Sequence, residues 1–370
     1  MENQNSVITS LGLTARQTAL LYNMQLAKTT DDISKEPDEK KRKLKKHWKN
    51  RWQFAMKNVY QSMCSENIEW IDGLDCELAK AIKNELQESA NKTWLYLAIM
   101  ETEFFIPYYP LDIRTEKGKN GKKKQVPSKE FASLKLQKKV NWLERFLTDE
   151  KIPVDSTYLP RIRKTYQKTL NRLLGRTTTK LLLVLIPLLV MAMFAAIAAV
   201  FAGPIAVALF GPAFAGLHGA ALVSACLAYI GGGAIAIGGA GMAGGVVTIA
   251  CGGALLGLAV GGTATGITMG ARAMLSSPAF ALTQAAKLEV ALKEIFLNTQ
   301  KDMRVAQEII RQFKDRITAY EHEIVELRRE EEENKELIKN MEKSIEYLKK
   351  ALKEMERFRS AYETGAAHGN

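Results

Sequence analysis

GGGAIAIGGAGMAGGVVTIACGGALLGLAVGG, residues 231–262, decides how the rest of the chain is read. Within it Gly239 to Gly244 spell G-A-G-M-A-G, a letter-for-letter match to the G-x-G-x-x-G dinucleotide fingerprint. That fingerprint works between a strand and a helix, with an acidic residue about 20 positions on to hold the ribose. After Gly244 the next Asp or Glu is Glu289. In a segment this rich in glycine the match is a product of composition, and no cofactor is expected.

Working outward, the stretch lies in a run of 91 residues between Lys180 and Arg272 that has no Asp, Glu, Lys or Arg and holds 19 of the 26 glycines. Leu181 to Ala202, LLLVLIPLLVMAMFAAIAAVFA, already meets the length rule for a membrane span, about 20 apolar helical residues. Gly203-Pro204 and Gly231-Gly232-Gly233 punctuate the remainder of the run, so residues 181–271 are expected to supply two to four spans. Gly253, Gly257 and Gly261 recur every four residues, as do Gly262, Gly266 and Gly270, and Gly241 pairs with Gly245. In lipid this spacing lets helix backbones approach closely, and these glycines are the expected helix-packing or pore positions. The 15 glycines of residues 231–270 also weaken a lone helix. At about 1 kcal/mol each relative to alanine, they would cost it on the order of 15 kcal/mol. Such a block should be helical only in company, which suits conditional insertion. A plain multi-span anchor with close helix packing is the alternative.

Charge is distributed to match. Residues 1–180 carry 34 Lys+Arg against 22 Asp+Glu, whereas residues 271–370 carry 18 of each. The lead-in, residues 151–180, places Arg161, Lys164, Lys168, Arg172, Arg176 and Lys180 largely on one helical face, and Arg272 marks the far flank. By the positive-inside rule this side stays cytoplasmic, and an even number of spans keeps both ends there. The basic face either meets anionic headgroups, at roughly 1 kcal/mol per residue, or is solvated. No secretory signal is visible at the N-terminus, so the expected location is the cell inner membrane, with the N- and C-terminal regions cytoplasmic.

From Ala306 to Met355 an a/d heptad seam runs through Ile310, Phe313, Ile317, Tyr320, Ile324, Leu327, Glu331, Asn334, Ile338, Met341, Ile345, Leu348 and Leu352. Glu331 and Asn334 are its polar members and lie in REEEENKE, where a helical hairpin could turn back, but the register crosses this stretch without Gly or Pro. One long helix over 303–362, about 90 Å, is therefore expected within residues 272–370, followed by a disordered tail. Ile310, Phe313, Ile317, Ile324, Leu327, Asn334, Ile338, Ile345 and Leu348 are the expected oligomerisation residues of a homo-oligomer. The seam does not name its partner, and packing against the protein's own N-terminal region stays open.

Residues 1–150 read as a basic helical domain containing all five tryptophans. KKRKLKKHWKNR, residues 40–51, has eight Lys/Arg and no acid, and KGKNGKKK, residues 117–124, reads as a loop. Arg is scarce in both, which weighs against nucleic acid and leaves lipid headgroups, an acidic partner or solvation. Cys64, Cys76, Cys226 and Cys251 form no C-x-x-C pair, and His47, His218, His322 and His368 have no ligand spacing, so free thiols and no metal are expected. No catalytic motif emerges, and no enzyme is expected.

The class is thus all-α: a helical N-terminal domain, a glycine-rich transmembrane block and a C-terminal coiled coil. GGGAIAIGGAGMAGG resembles the glycine-rich core of apolipoprotein-L-like and related membrane proteins, which include bacterial effectors of antiphage defence. The apolar segment between long helices also looks like the head of the cytolysin A class of α-helical pore-forming toxins. The glycine spacing and the charge asymmetry, with the first resemblance, lead to the expectation of an oligomerising effector that permeabilises or depolarises the bacterial inner membrane, and a cytoplasmic activating partner is an expected partner. A constitutive coiled-coil scaffold and a secreted pore-forming toxin are the alternatives.

Overall fold

The computed structural model describes residues 13–64, 67–90, 92–109, 111, 113–117, 123–137, 141–175, 275 and 278–365. The run 181–271 lies outside the described residues, and with it Gly241, Gly245, Gly253, Gly257, Gly261, Gly262, Gly266 and Gly270. So do Arg176, Lys180 and Arg272, and the tail from 366. Among the described residues, no helix is long and apolar enough to cross a membrane.

The described part is helical, apart from one antiparallel ribbon, β1 (Ile113–Lys117) and β2 (Lys123–Pro127), which flanks the basic loop. The N-terminal helices are α1 (Ala15–Ser34), α2 (Glu39–Cys64), α3 (Asp75–Glu88), α4 (Thr93–Phe104) and α5 (Trp142–Asp149). Helix α1 starts at a capping box: the Thr14 hydroxyl accepts from the Gln17 amide at 3.2 Å, and the Gln17 side chain accepts from the Thr14 amide at 3.1 Å. Two of the four orphan N–H groups of the first turn are satisfied in this way. Leu21, Tyr22, Met24 and Leu26 of α1 are buried, with Tyr22 edge-on to Trp52 of α2, and Trp48 and Trp52 stack at 6.0 Å between centroids. Lys28 is buried, and its ammonium donates to the carbonyls of Thr102, Glu103 and Phe105 at 2.7, 2.8 and 2.9 Å, closing the C-terminus of α4. Burial lowers the Lys28 pKa to about 8.

Helix α4 is apolar from Trp94 to Met100, and Trp94, Leu95, Leu97, Ala98, Ile99 and Met100 are all buried. A helix of that kind must be enclosed on every side. Its second layer is α6 (Tyr158–Leu174), which runs into the uncharged block, and α7 (Pro278–Val290), which leads out of it. Helix α7 continues as a π-helix over Ala291–Leu297, visible in the five-residue hydrogen bond from the Asn298 amide to the Lys293 carbonyl at 3.0 Å. From Ala281 to Leu297 every residue is buried except Thr283 and Lys293, which are half-buried.

The C-terminal segment differs from the single rod expected of it. Helix α8 (Met303–Leu327) ends in one 3₁₀ turn, Arg328–Glu330, and α9 (Glu331–Glu363) folds back along it. Gln307 reaches Glu363 at 3.1 Å, Arg328 reaches Glu342 at 2.6 Å, and Lys349 pairs with Glu321. These three contacts share one continuous antiparallel register. The seam residues Ile310, Phe313, Ile317, Ile324 and Leu327 are buried together with Ile338, Met341, Ile345, Leu348 and Met355 inside one chain, and Asn334 sits half-buried beside the turn. The reversal falls where the seam carries its polar positions, Glu331 and Asn334. Turning there removes the need to bury both within a longer coil.

Contacts fix the direction of each helix. Helix α9 runs parallel to α7: the Ser344 hydroxyl donates to the Leu275 carbonyl at 2.7 Å, and farther along Lys293 lies 4.5 Å from the Phe358 ring centroid. Helix α8 is antiparallel to both. The 3₁₀ turn therefore lies on the same side of the bundle as the start of α7. The 13 residues from Glu331 to Ser344 carry it about 20 Å beyond the level of Leu275.

This hairpin is testable by distance. Spin labels at positions 307 and 363, diluted with unlabelled chain, should report a helix-pair separation of roughly 10 Å plus the linkers. A single rod would hold them about 85 Å apart.

Candidate functional site: the stem of the uncharged block

The chain leaves for the block at the end of α6 and returns at the start of α7, so the interface of these two helices is its stem. Arg161 and Thr165 of α6 meet Glu294, and Thr169 and Arg172 meet Glu289. Partner numbers fall as α6 advances, so the helices are antiparallel. The exit at Gly175 and the return near Leu275 therefore lie toward one end of the bundle.

The interface is a polar ladder in an apolar wall. Glu289 is 1% exposed and Glu294 is 3% exposed, and each must find partners inside the protein. Thr165 Oγ1 donates to Glu294 at 2.6 Å, Asn298 Nδ2 donates to its other oxygen at 3.1 Å, and Arg161 Nε lies 3.3 Å away. Thr169 Oγ1 donates to Glu289 at 2.7 Å, and Arg172 pairs with the second oxygen. Burial pushes the Glu289 carboxyl above its ordinary range, against the opposing effects of Thr169 and Arg172. The other guanidinium nitrogen of Arg172 donates to the Lys350 carbonyl of α9 at 3.2 Å. Arg172 thus joins three helices three residues before Gly175, where the described part of the lead-in ends. Lys287 of α7 and Glu101 of α4 form a further buried pair at 2.6 Å, and Phe104 stacks on Tyr166 at 4.0 Å, tying the N-terminal helices to the stem.

Of the basic face expected on the lead-in, the structure divides four members. Lys164 and Lys168 are exposed, whereas Arg161 and Arg172 turn toward the buried carboxylates. The spacing alone could not separate them, because their acidic partners lie more than 100 residues away.

The basic run 40–51 is likewise answered from a distance. Lys45 is fully buried, 2.6 Å from Asp32 and 2.8 Å from Glu36. Lys49 pairs with Asp72 at 2.7 Å, and Arg51 pairs with Glu130 at 2.9 Å. Tyr108 donates to Asp32 at 2.5 Å, and the Gln137 amide donates to its other oxygen at 2.7 Å. Lys40, Lys43 and Lys46 remain at the surface. Among the described residues no cluster of His, Cys, Asp or Glu could hold a metal ion. Compared with protein families, with curated proteins and with solved structures, the chain matches none.

Two measurements probe these clusters. Thr165→Val and Glu294→Gln, singly and together, should couple by about 1–3 kcal/mol in a double-mutant cycle on thermal or denaturant unfolding, as a buried charged hydrogen bond does. The hydrogen bond from Lys45 holds the Glu36 carboxyl at about 2, below its ordinary 4.5. A depressed carboxylate adds stability that is fully present above the unfolded value and is lost as pH falls toward the folded one. Stability should therefore drop between pH 4.5 and 2, and Glu36→Gln should flatten that slope.

Proposed function

We propose that this protein is a membrane-inserting effector in which a helical bundle carries the glycine-rich block on an antiparallel stem, and that the block permeabilises or depolarises the membrane it enters. The observation that carries this reading is the stem itself. A block that leaves and returns toward one end of one bundle has both flanks on one side of a bilayer, which requires an even number of spans. The positive lead-in makes that side cytoplasmic, with Lys164 and Lys168 available to anionic headgroups. The C-terminal seam is covered by its own chain, so the reading assigns association of copies to the glycine faces around Gly257 and Gly266. The reading includes no catalytic activity and no bound cofactor.

Inducing the protein in bacterial cells loaded with a potential-sensitive dye should collapse the membrane potential and arrest growth. Gly257→Leu should abolish both while the protein stays in the membrane fraction after a carbonate wash. An unchanged potential with the wild-type protein firmly in that fraction would instead identify an anchored scaffold.

A further inference from the structure

We propose that the solvent face of α2 is a docking surface for anionic phospholipid headgroups, in which Lys40, Lys43, Lys46 and Lys57 meet the phosphates and Phe54 enters the interface between them. The inference rests on the membrane reading only for the choice of a bilayer as partner, and it needs no residue of the uncharged block.

The helix itself sorts its residues. Lys45, Trp48, Trp52 and Met56 are buried at three- and four-residue steps, which turns the opposite side of α2 outward. On that side Lys40, Lys43, His47, Asn50, Phe54 and Lys57 follow one another at steps of three or four, with Lys46 at the edge, and all are exposed. From Lys40 to Lys57 the ridge is about 25 Å long. Lys43 has only a solvent-exposed partner, Glu39 at 3.1 Å, and among the described residues Lys40, Lys46 and Lys57 have no acidic side chain within ion-pair distance. Glu130, beside the ridge, is taken up by Arg51 at 2.9 Å and lies 3.2 Å from His47. Phe54 is 67% exposed, the most of any large apolar side chain among the described residues. At a headgroup boundary that ring would leave water while the ammonium groups stayed at the level of the phosphates.

The shape of the patch selects among anionic partners. An acidic protein with a groove for this helix would need several apolar anchors at three- and four-residue steps, and the face offers one. Nucleic acid calls for guanidinium forks or for successive aromatic rings on which bases stack. Arg42 and Arg51 are half-buried, and Phe54 stands alone on the ridge. A convex row of flexible point charges around one apolar wedge asks only for a diffuse negative surface, which is what a leaflet of anionic lipid presents.

The test uses the full-length protein, sedimented with phosphatidylcholine vesicles with and without phosphatidylglycerol. Wild type should bind the vesicles containing phosphatidylglycerol more tightly, by a margin that shrinks as salt rises. Lys40→Gln, Lys43→Gln, Lys46→Gln and Lys57→Gln combined should erase that margin, at about fivefold per lysine. Phe54→Ser should weaken binding about tenfold. Removing as many exposed lysines from the C-terminal hairpin, by Lys314→Gln, Lys335→Gln, Lys339→Gln and Lys353→Gln, should leave the margin in place. A nitrobenzoxadiazole label on Phe54→Cys, with the native cysteines changed to serine, should shift to the blue on phosphatidylglycerol vesicles, whereas the same label on Thr318→Cys of α8 should not. If the protein binds with the label at position 54 unshifted, or if the hairpin substitutions weaken binding as much as those in α2, the docking face is wrong and the membrane reading survives. It is equally overturned if the α2 substitutions leave vesicle binding intact and instead weaken retention of a DNA or RNA oligonucleotide. If wild type binds neither kind of vesicle, the membrane reading fails and the docking face fails with it.

Discussion

From Ala281 to Leu297 helix α7 and its π-helical continuation are buried but for half-buried Thr283 and Lys293, and that constraint organises the molecule. An apolar helix leaving a 91-residue uncharged run has to be enclosed. Helix α6 covers one side, α8 and α9 cover others, and α4 closes the π-helical end. The two carboxylates on the buried stretch, Glu289 and Glu294, then force the choice of neighbours. Each needs donors at short range, and α6 presents a hydroxyl and a guanidinium to each. The widened π turn accompanies this crowding. It keeps Leu292, Glu294, Ile295, Phe296 and Leu297 all buried, which brings one more side chain inward than a regular turn would.

Much of the helical content was legible from periodicity. The lead-in that became α6 and the a/d seam lie where apolar spacing places them. The hairpin was legible only as the less favoured alternative to one long helix, because a seam identifies a face and says nothing about what covers it. Glu331 and Asn334 were the one signal: two polar seam positions in succession mark either a register device or a reversal, and here they mark a reversal. In the basic run 40–51, Lys45, Lys49 and Arg51 are answered by Asp32, Glu36, Asp72 and Glu130, which only the fold brings near, while Lys40, Lys43 and Lys46 stay at the surface.

The stem residues themselves left a fainter trace. PAFALTQAAKLEVALKEIFL, residues 278–297, is apolar apart from Gln284, Lys287, Glu289, Lys293 and Glu294, together with Thr283. Charged residues in so apolar a helix need partners wherever it packs. Their partners Thr165, Thr169 and Glu101 carry no sequence signature at all. The division of the lead-in into inward Arg161 and Arg172 and outward Lys164 and Lys168 follows the chemistry of the groups. The planar guanidinium suits a buried carboxylate, and the strongly hydrated ammonium suits the surface.

Because α6 and α7 are antiparallel, everything between residues 175 and 275 is, for the bundle, a loop. Closing a longer loop costs little more than closing a short one, since each doubling of length adds only about 0.6 kcal/mol. Stretching an ordinary helix connection of about 6 residues to roughly 100 therefore costs the folded bundle only some 2–3 kcal/mol. The surrounding helices can hold their fold almost independently of where the intervening hundred residues reside.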